Sequence, residues 1–181
     1  MDSRVVVASL RRLRRRVTVW IADHVRAKIV EEGRALFPLE TGGVLLGWRD
    51  GADSIVADLI GAGPKALHGR HLFLPDHAWQ LHELRAAFAD SRGDLDYLGD
   101  WHTHPAGIAE MSKQDHKTLG YLTRRVRGAL MVIAAGAADD WTLGAWSQRR
   151  AGLFGRLQTD ERDLRSFAAP SNWPRFPAIA D

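Results

Sequence analysis

Apolar positions recur along this chain with two periods, and the switches between them mark out its elements. Val17 to Ile21 is a mainly apolar run that predicts a strand. Ala22 to Leu36 follows at a helical period, with Val25, Ile29, Val30 and Leu36 on its inner side, and Pro38 stops it. Gly42 and Gly43 open the apolar run Val44 to Trp48, and the turn Arg49-Asp50-Gly51 with the return Ser54 to Ile60 predicts a hairpin. Gly61 to Arg70 reads as a glycine and proline loop, and Leu72 to Leu74 as a short strand. Pro75 to Ala89 fits a helix carrying Trp79, Leu81, Leu84 and Phe88, broken by Ser91 to Asp94. Tyr97 to His104 reads as extended and Ser112 to Arg124 as a helix. Ala129 to Ala135 and Trp141 to Trp146 form paired strands around the turn Gly136 to Asp140. The last sixteen residues, SFAAPSNWPRFPAIAD, are proline-rich and predict no regular structure. Neither a fixed-period repeat nor a low-complexity block interrupts this order, and the mixture of strands and helices predicts an α/β domain whose sheet is covered on both faces.

Composition narrows the chemistry. At 181 residues, 45% hydrophobic and 26% charged, the chain suits one globular domain that buries roughly two thirds of its unfolded surface. With no cysteine, disulfides, thiolate metal sites and cysteine nucleophiles are excluded together, so any metal must sit on histidine and carboxylate. The absence of cysteine suits a reducing compartment. Arginines follow a short apolar run at the start, the reverse of a secretory signal, and the longest apolar stretch, Gly128 to Ala138, is too short to span a bilayer. A soluble cytoplasmic protein without membrane association is expected. Net charge is only +3, with the basic excess concentrated at Arg11, Arg12, Arg14, Arg15 and Arg16. Such a run can dock on phosphates or acidic partners, or be a solvated segment; no aromatic is interleaved with it, so a stacking platform for nucleic acid is not indicated.

The stretch GDWHTHPAGIAEMSKQD, Gly99 to Asp115, carries the candidate chemistry. On a strand, His102 and His104 point to one face with Cα atoms roughly 6.5 to 7 Å apart, so two imidazoles can converge on one ion. Pro105 ends the strand, and Ser112 fits the cap of the next helix, which puts Asp115 in its first turn. Two imidazoles and a carboxylate suit zinc and leave its fourth tetrahedral position open for water, the arrangement of a catalytic site. Ser112-x-x-Asp115 is also a capping-box pattern, which by itself needs no further role. Asp100 shares the strand face of the two histidines and is a second candidate ligand, with a supporting or solvent-facing role as its alternative. His82-Glu83 begins like HExxH but has Ala86 where the second histidine belongs. His116 projects away from Asp115 around the helix, and His24, His68, His71 and His77 lack partners at ligand spacing. Trp101 alternates away from the histidines toward a core position.

The run His102-Thr103-His104-Pro105, six residues, then Ser112-Lys113-Gln114-Asp115 resembles the H-[ST]-H-P-x6-S-x2-D signature of the JAB/MPN (JAMM) metalloprotease family. The segment Leu39-Glu40-Thr41-Gly42-Gly43-Val44-Leu45-Leu46-Gly47 is similar to that family's upstream glutamate and apolar strand. The resemblance implies a cytidine-deaminase-like three-layer α-β-α sandwich with a mixed, mostly antiparallel sheet, over residues 17–157, between an arginine-rich segment 1–16 and an irregular tail 158–181. It implies one Zn²⁺ per chain on His102, His104 and Asp115, Glu40 as the base that activates water, and Ser112 as a donor to the oxyanion. It further implies hydrolysis of an amide or isopeptide bond after the C-terminus of a ubiquitin-like protein or related conjugate. The GDWHTHP form looks more like bacterial members that accompany E1-like or E2-like enzymes. Release of an amino acid or peptide from a sulfur-carrier protein, a non-catalytic scaffold, and nucleic-acid association through the arginine run are the alternatives.

Overall fold

The computed structural model describes residues 17–151 and 155–173; the arginine run of residues 1–16 and the tail positions Pro174 and Phe176 lie outside the described residues. The elements run β1 (Thr18–Ala22), α1 (Asp23–Leu36), β2 (Gly42–Asp50), β3 (Asp53–Ile60), β4 (Leu67–His68), β5 (Phe73–Leu74), α2 (His77–Asp90), β6 (Asp96–Pro105), α3 (Lys113–Thr123), β7 (Leu130–Ala137), β8 (Asp140–Ala151), β9 (Arg156–Glu161) and β10 (Asp163–Phe167). Eight strands form one sheet in the order β10-β1-β3-β2-β6-β7-β8-β9, and β4 with β5 forms a separate small hairpin. Four of the seven pairings in the large sheet are antiparallel; β10 with β1, β1 with β3 and β6 with β7 are parallel. The parallel pair β6 and β7 needs a crossover, and α3 supplies it.

Alternation along the central strands sorts the core into two faces. Leu45, Trp101, Val132 and Ala134 pack with Val25 and Ile29 of α1 on one side. Val44 and Leu46 face Ala87 and Leu84 of α2 on the other, and Met131 and Ile133 face Leu119 and Leu122 of α3 on that same side. The result is three layers, with α1 alone on one face and α2 and α3 side by side on the opposite one. Because Trp101 is buried against the α1 side, Asp100, His102 and His104 must emerge on the α2 and α3 side.

Two departures from the sequence expectation have clear causes. The start of the segment expected to be irregular, residues 158–167, is mostly strand: β9 continues the β8 hairpin, and β10 adds to the free edge of β1 in register from Thr18↔Asp163 to Ala22↔Phe167. Most of that segment is polar, so no hydrophobic period announces it; it is held by edge pairing and by Leu164 and Phe167 against the α1-side core. Trp173 then packs edge-on against Trp48, with ring centroids 4.8 Å apart. In α2, Asp76 caps the helix by accepting the Trp79 amide, and the buried positions are Gln80 and Ala87, while Leu81 and Phe88 stay exposed. Tertiary placement overrides the apolar pattern there, because Leu81 looks into a groove rather than into the core.

Candidate metal centre

Period-2 geometry on β6 puts His102 and His104 on one face, and their Nε2 atoms stand 3.0 Å apart. The return loop starts where Pro105 ends the strand: Ala106 takes a left-handed conformation (φ 54°) and its amide donates to the Gly136 carbonyl. The chain thus reaches Ser112, which caps α3. The Ser112 hydroxyl accepts the Asp115 amide at 3.2 Å, and the Ser112 amide donates to Asp115 Oδ2 at 2.7 Å, a reciprocal box that locks the carboxylate rotamer. Asp115 Oδ1 then lies 3.2 Å from His102 Nε2 and Oδ2 lies 3.5 Å from His104 Nε2. These three side chains form the group able to hold a metal ion among the described residues, with donor atoms within 4.8 Å of one another.

The donor set fits zinc on geometry. Bonds of about 2.0–2.1 Å at tetrahedral angles set ligand atoms roughly 3.3 Å apart, and the three observed separations, 3.0, 3.2 and 3.5 Å, bracket that spacing. Tautomer follows too. His104 Nδ1 lies 3.2 Å from the Ile108 carbonyl, which can only accept, so Nδ1 carries a proton and Nε2, facing Asp115, is the nitrogen an ion would take in place of a proton. For Asp115, burial works to raise the pKa, but hydrogen bonds from His102, His104 and Ser112 outweigh it and hold the carboxyl well below the usual range, ionised and ready to ligate. His104 is raised, chiefly by its hydrogen bond to Asp115 against the effect of burial.

Glu40 precedes β2 and lines the same groove as the three ligands. Its position is set by a two-way exchange between strands: the Thr41 amide donates to Thr103 Oγ1 at 3.0 Å, and the Thr103 amide donates to the Thr41 carbonyl at 2.8 Å. Gly42 and Gly43 make that approach possible, since a Cβ at Gly42 would meet the Trp101 carbonyl and one at Gly43 the Ile60 carbonyl. Burial raises the Glu40 pKa, with His104 and His102 pulling the other way, which moves a carboxylate toward the range useful for a base.

Each remaining sequence candidate has a defined place. Asp100 lines the groove but is not in the donor group; Tyr97 donates its hydroxyl to Asp100 Oδ1 at 2.7 Å. His82 bonds its neighbour Glu83 on the surface, and His116 faces Thr159 Oγ1 at 3.3 Å. The histidines without partners at ligand spacing stay outside the donor group, yet the β4–β5 hairpin brings one of them to the site in a structural role. His68 Nδ1 donates to the Glu40 carbonyl at 2.9 Å while stacking on Phe73, and the Glu40 amide donates to Gly69, so the hairpin clamps the backbone of the candidate base. His71 and His77 stand on the groove wall. The one local signal was a long glycine-containing loop rich in basic side chains and histidine, which carries no spacing rule.

Comparison with known proteins agrees with this architecture. Residues 22–147 match the family described as prokaryotic homologs of the JAB domain. A probable metalloprotease, y4qB, from Sinorhizobium fredii is 30% identical over 158 residues, covering 82% of this chain and 96% of its own length. The solution structure of protein DSY2949 from Desulfitobacterium hafniense has the same fold, with a TM-score of 0.64 at 18% identity over 84% of this chain and 95% of that one. With most of the chain matched, including the His102, His104 and Asp115 group, this protein belongs to the prokaryotic JAB family.

Proposed function

We propose that this chain is a zinc-dependent peptidase that hydrolyses an amide or isopeptide bond following the C-terminus of a ubiquitin-like protein or related conjugate. The observation that carries the reading is a three-donor group lining an open groove of about 1340 Å³, with the Glu40 side chain lining the same groove. A groove of that size takes an extended polypeptide, and exposed Leu72, Leu74, Leu81 and Ile108 along it offer apolar contacts to one. His102, His104 and Asp115 hold the ion, which supplies Lewis acidity toward water and toward the scissile carbonyl.

Every other role belongs to this chain's side chains. Glu40, raised in pKa by burial, accepts a proton from the attacking water and passes it to the departing amine. The Ser112 hydroxyl already accepts the Asp115 amide, so its own proton is left to donate to the developing oxyanion. The Gly69 carbonyl holds the Glu40 amide, and His68 and Thr103 hold the peptide unit that follows Glu40. The full ligand set separates this reading from a scaffold that binds partners only, and E1-like or E2-like enzymes are the partner proteins it implies. Zinc content measured together with hydrolysis of synthetic lysine-linked and linear conjugates, by wild type and Glu40→Ala, is the test. A metal-loaded but inactive variant supports the assignment; undiminished turnover overturns it. Release of a small amine rather than a lysine-linked protein would redirect the substrate to a carrier-protein conjugate.

A further inference from the structure

We propose that Asp100 is a specificity determinant of the groove, accepting a cationic side chain, lysine or arginine, of the bound polypeptide close to the scissile bond. The inference rests on the peptidase reading for where the polypeptide lies. Asp100 occupies the strand position two before His102, on the same face, so its Cα stands roughly 6.5 to 7 Å from that of the ligand. A side chain reaching Asp100 therefore belongs to a residue next to the reacting carbonyl or one further along.

The surroundings select the class of group. Val44, the register partner of Asp100 on β2, together with Leu81 and Leu84 of α2 and the ring of Tyr97, makes the adjoining wall apolar. A carboxylate set in an apolar wall matches a long side chain that lays its methylene stem on hydrophobic surface and presents N–H donors at its tip. Asp100 is also under-satisfied. The Tyr97 hydroxyl occupies Oδ1 at 2.7 Å, and among the described residues no lysine or arginine pairs with this carboxylate, whose ionisable neighbours are the imidazoles of His102 and His77. A half-buried carboxylate with one neutral donor retains acceptor capacity that a guanidinium or ammonium fills. Tyr97 in turn fixes the rotamer, so the acceptor is held before the ligand arrives.

A purely structural Asp100 would exist to satisfy Tyr97, and the two roles give different results. The zinc-loaded full chain is titrated by calorimetry with acetylated tetraglycine peptides in which one residue at a time is replaced by arginine, lysine, glutamine or leucine. At one position the cationic peptides should bind about tenfold to a hundredfold tighter than the glutamine peptide, the range of a charge-assisted hydrogen bond. Asp100→Asn should reduce that ratio to near one, Asp100→Glu should restore it, and Tyr97→Phe should leave most of it. Circular dichroism of each variant confirms the fold. A preference that survives Asp100→Asn, equal affinity for charged and neutral peptides, or no binding at all overturns the proposal. Because binding is read rather than cleavage, a charge-selective protein that hydrolyses nothing would refute the peptidase reading and leave this one standing.

Discussion

Thr41 and Thr103 exchange hydrogen bonds across two strands, the Thr41 amide to Thr103 Oγ1 at 3.0 Å and the Thr103 amide to the Thr41 carbonyl at 2.8 Å. Thr103 separates the two candidate histidine ligands and Thr41 follows Glu40, so this exchange is the direct link between the candidate base and the candidate metal site. Both threonines are fully buried, and neither can turn to water for a partner. Thr103→Val leaves the Thr41 amide without its acceptor and should cost about 1–3 kcal/mol of stability. Zinc content should stay near wild type while kcat falls, since the ligands remain on β6 and Glu40 shifts. Chemical denaturation, metal analysis and steady-state kinetics on one preparation check all three, and Thr103→Ser should recover most of the loss.

Metal binding should stabilise the fold, because the three donors converge only when β6 and the first turn of α3 are both formed. At an ion concentration near 100 times Kd the gain is about 2.7 kcal/mol, or roughly 5–10 °C in Tm for a chain of this size. Chelation should remove it, and His102→Ala should melt at the same temperature with or without chelator. A chelator-sensitive melting point in His102→Ala would mean that the ion sits elsewhere.

Ser112 has two jobs that separate by substitution. Ser112→Ala removes both the α3 cap and the hydroxyl donor, so it should lose about 1 kcal/mol of stability and about 10²- to 10³-fold in kcat. Ser112→Gly loses only a few tenths of a kcal/mol as a cap but still lacks the donor. Its rate should therefore fall as far as that of Ser112→Ala while its Tm stays close to wild type. If the rate of the glycine variant instead follows its stability, Ser112 is a cap alone.

Away from the site, Glu32 of α1 faces the exit of β3, where a Cβ on Gly61 would lie 3.2 Å from its Oε1. Burial raises its pKa, with Lys28 opposing and Glu31 reinforcing. A folded-state pKa above the unfolded one favours folding below the unfolded value, near about 4.3, and that contribution is lost as pH rises through the raised folded value. Glu32→Gln removes the loss. Its Tm relative to wild type should climb between about pH 4 and pH 7, measured by thermal denaturation in matched buffers; a flat difference would place the carboxylate in water.

The stop at Pro38, the cap at Ser112 and the strand that aims His102 and His104 together were all legible in the sequence, because each depends on residues within one element. Capping, proline geometry and the period of a strand act over a few positions, and the chain displays them directly. The polar strands β9 and β10 were not legible, since their pairing with β8 and β1 replaces the hydrophobic signal that marks the other strands. Nor was the exposed face of α2, because Leu81 lines a groove that exists only once α3 packs beside it.

The residue types and the spacing that suit a borderline divalent ion lie within the sequence of Gly99 to Asp115 itself. The segment around Glu40 named that carboxylate by resemblance, but only the tertiary structure decided how it reaches the site and which histidine supports it. Glu40 arrives there through the β2 and β6 register, and His68 through a hairpin that folds back on the Glu40 backbone. Local periodicity carries no record of such meetings, because strand pairing depends on the burial and hydrogen bonding of the whole sheet rather than on any interval along the chain.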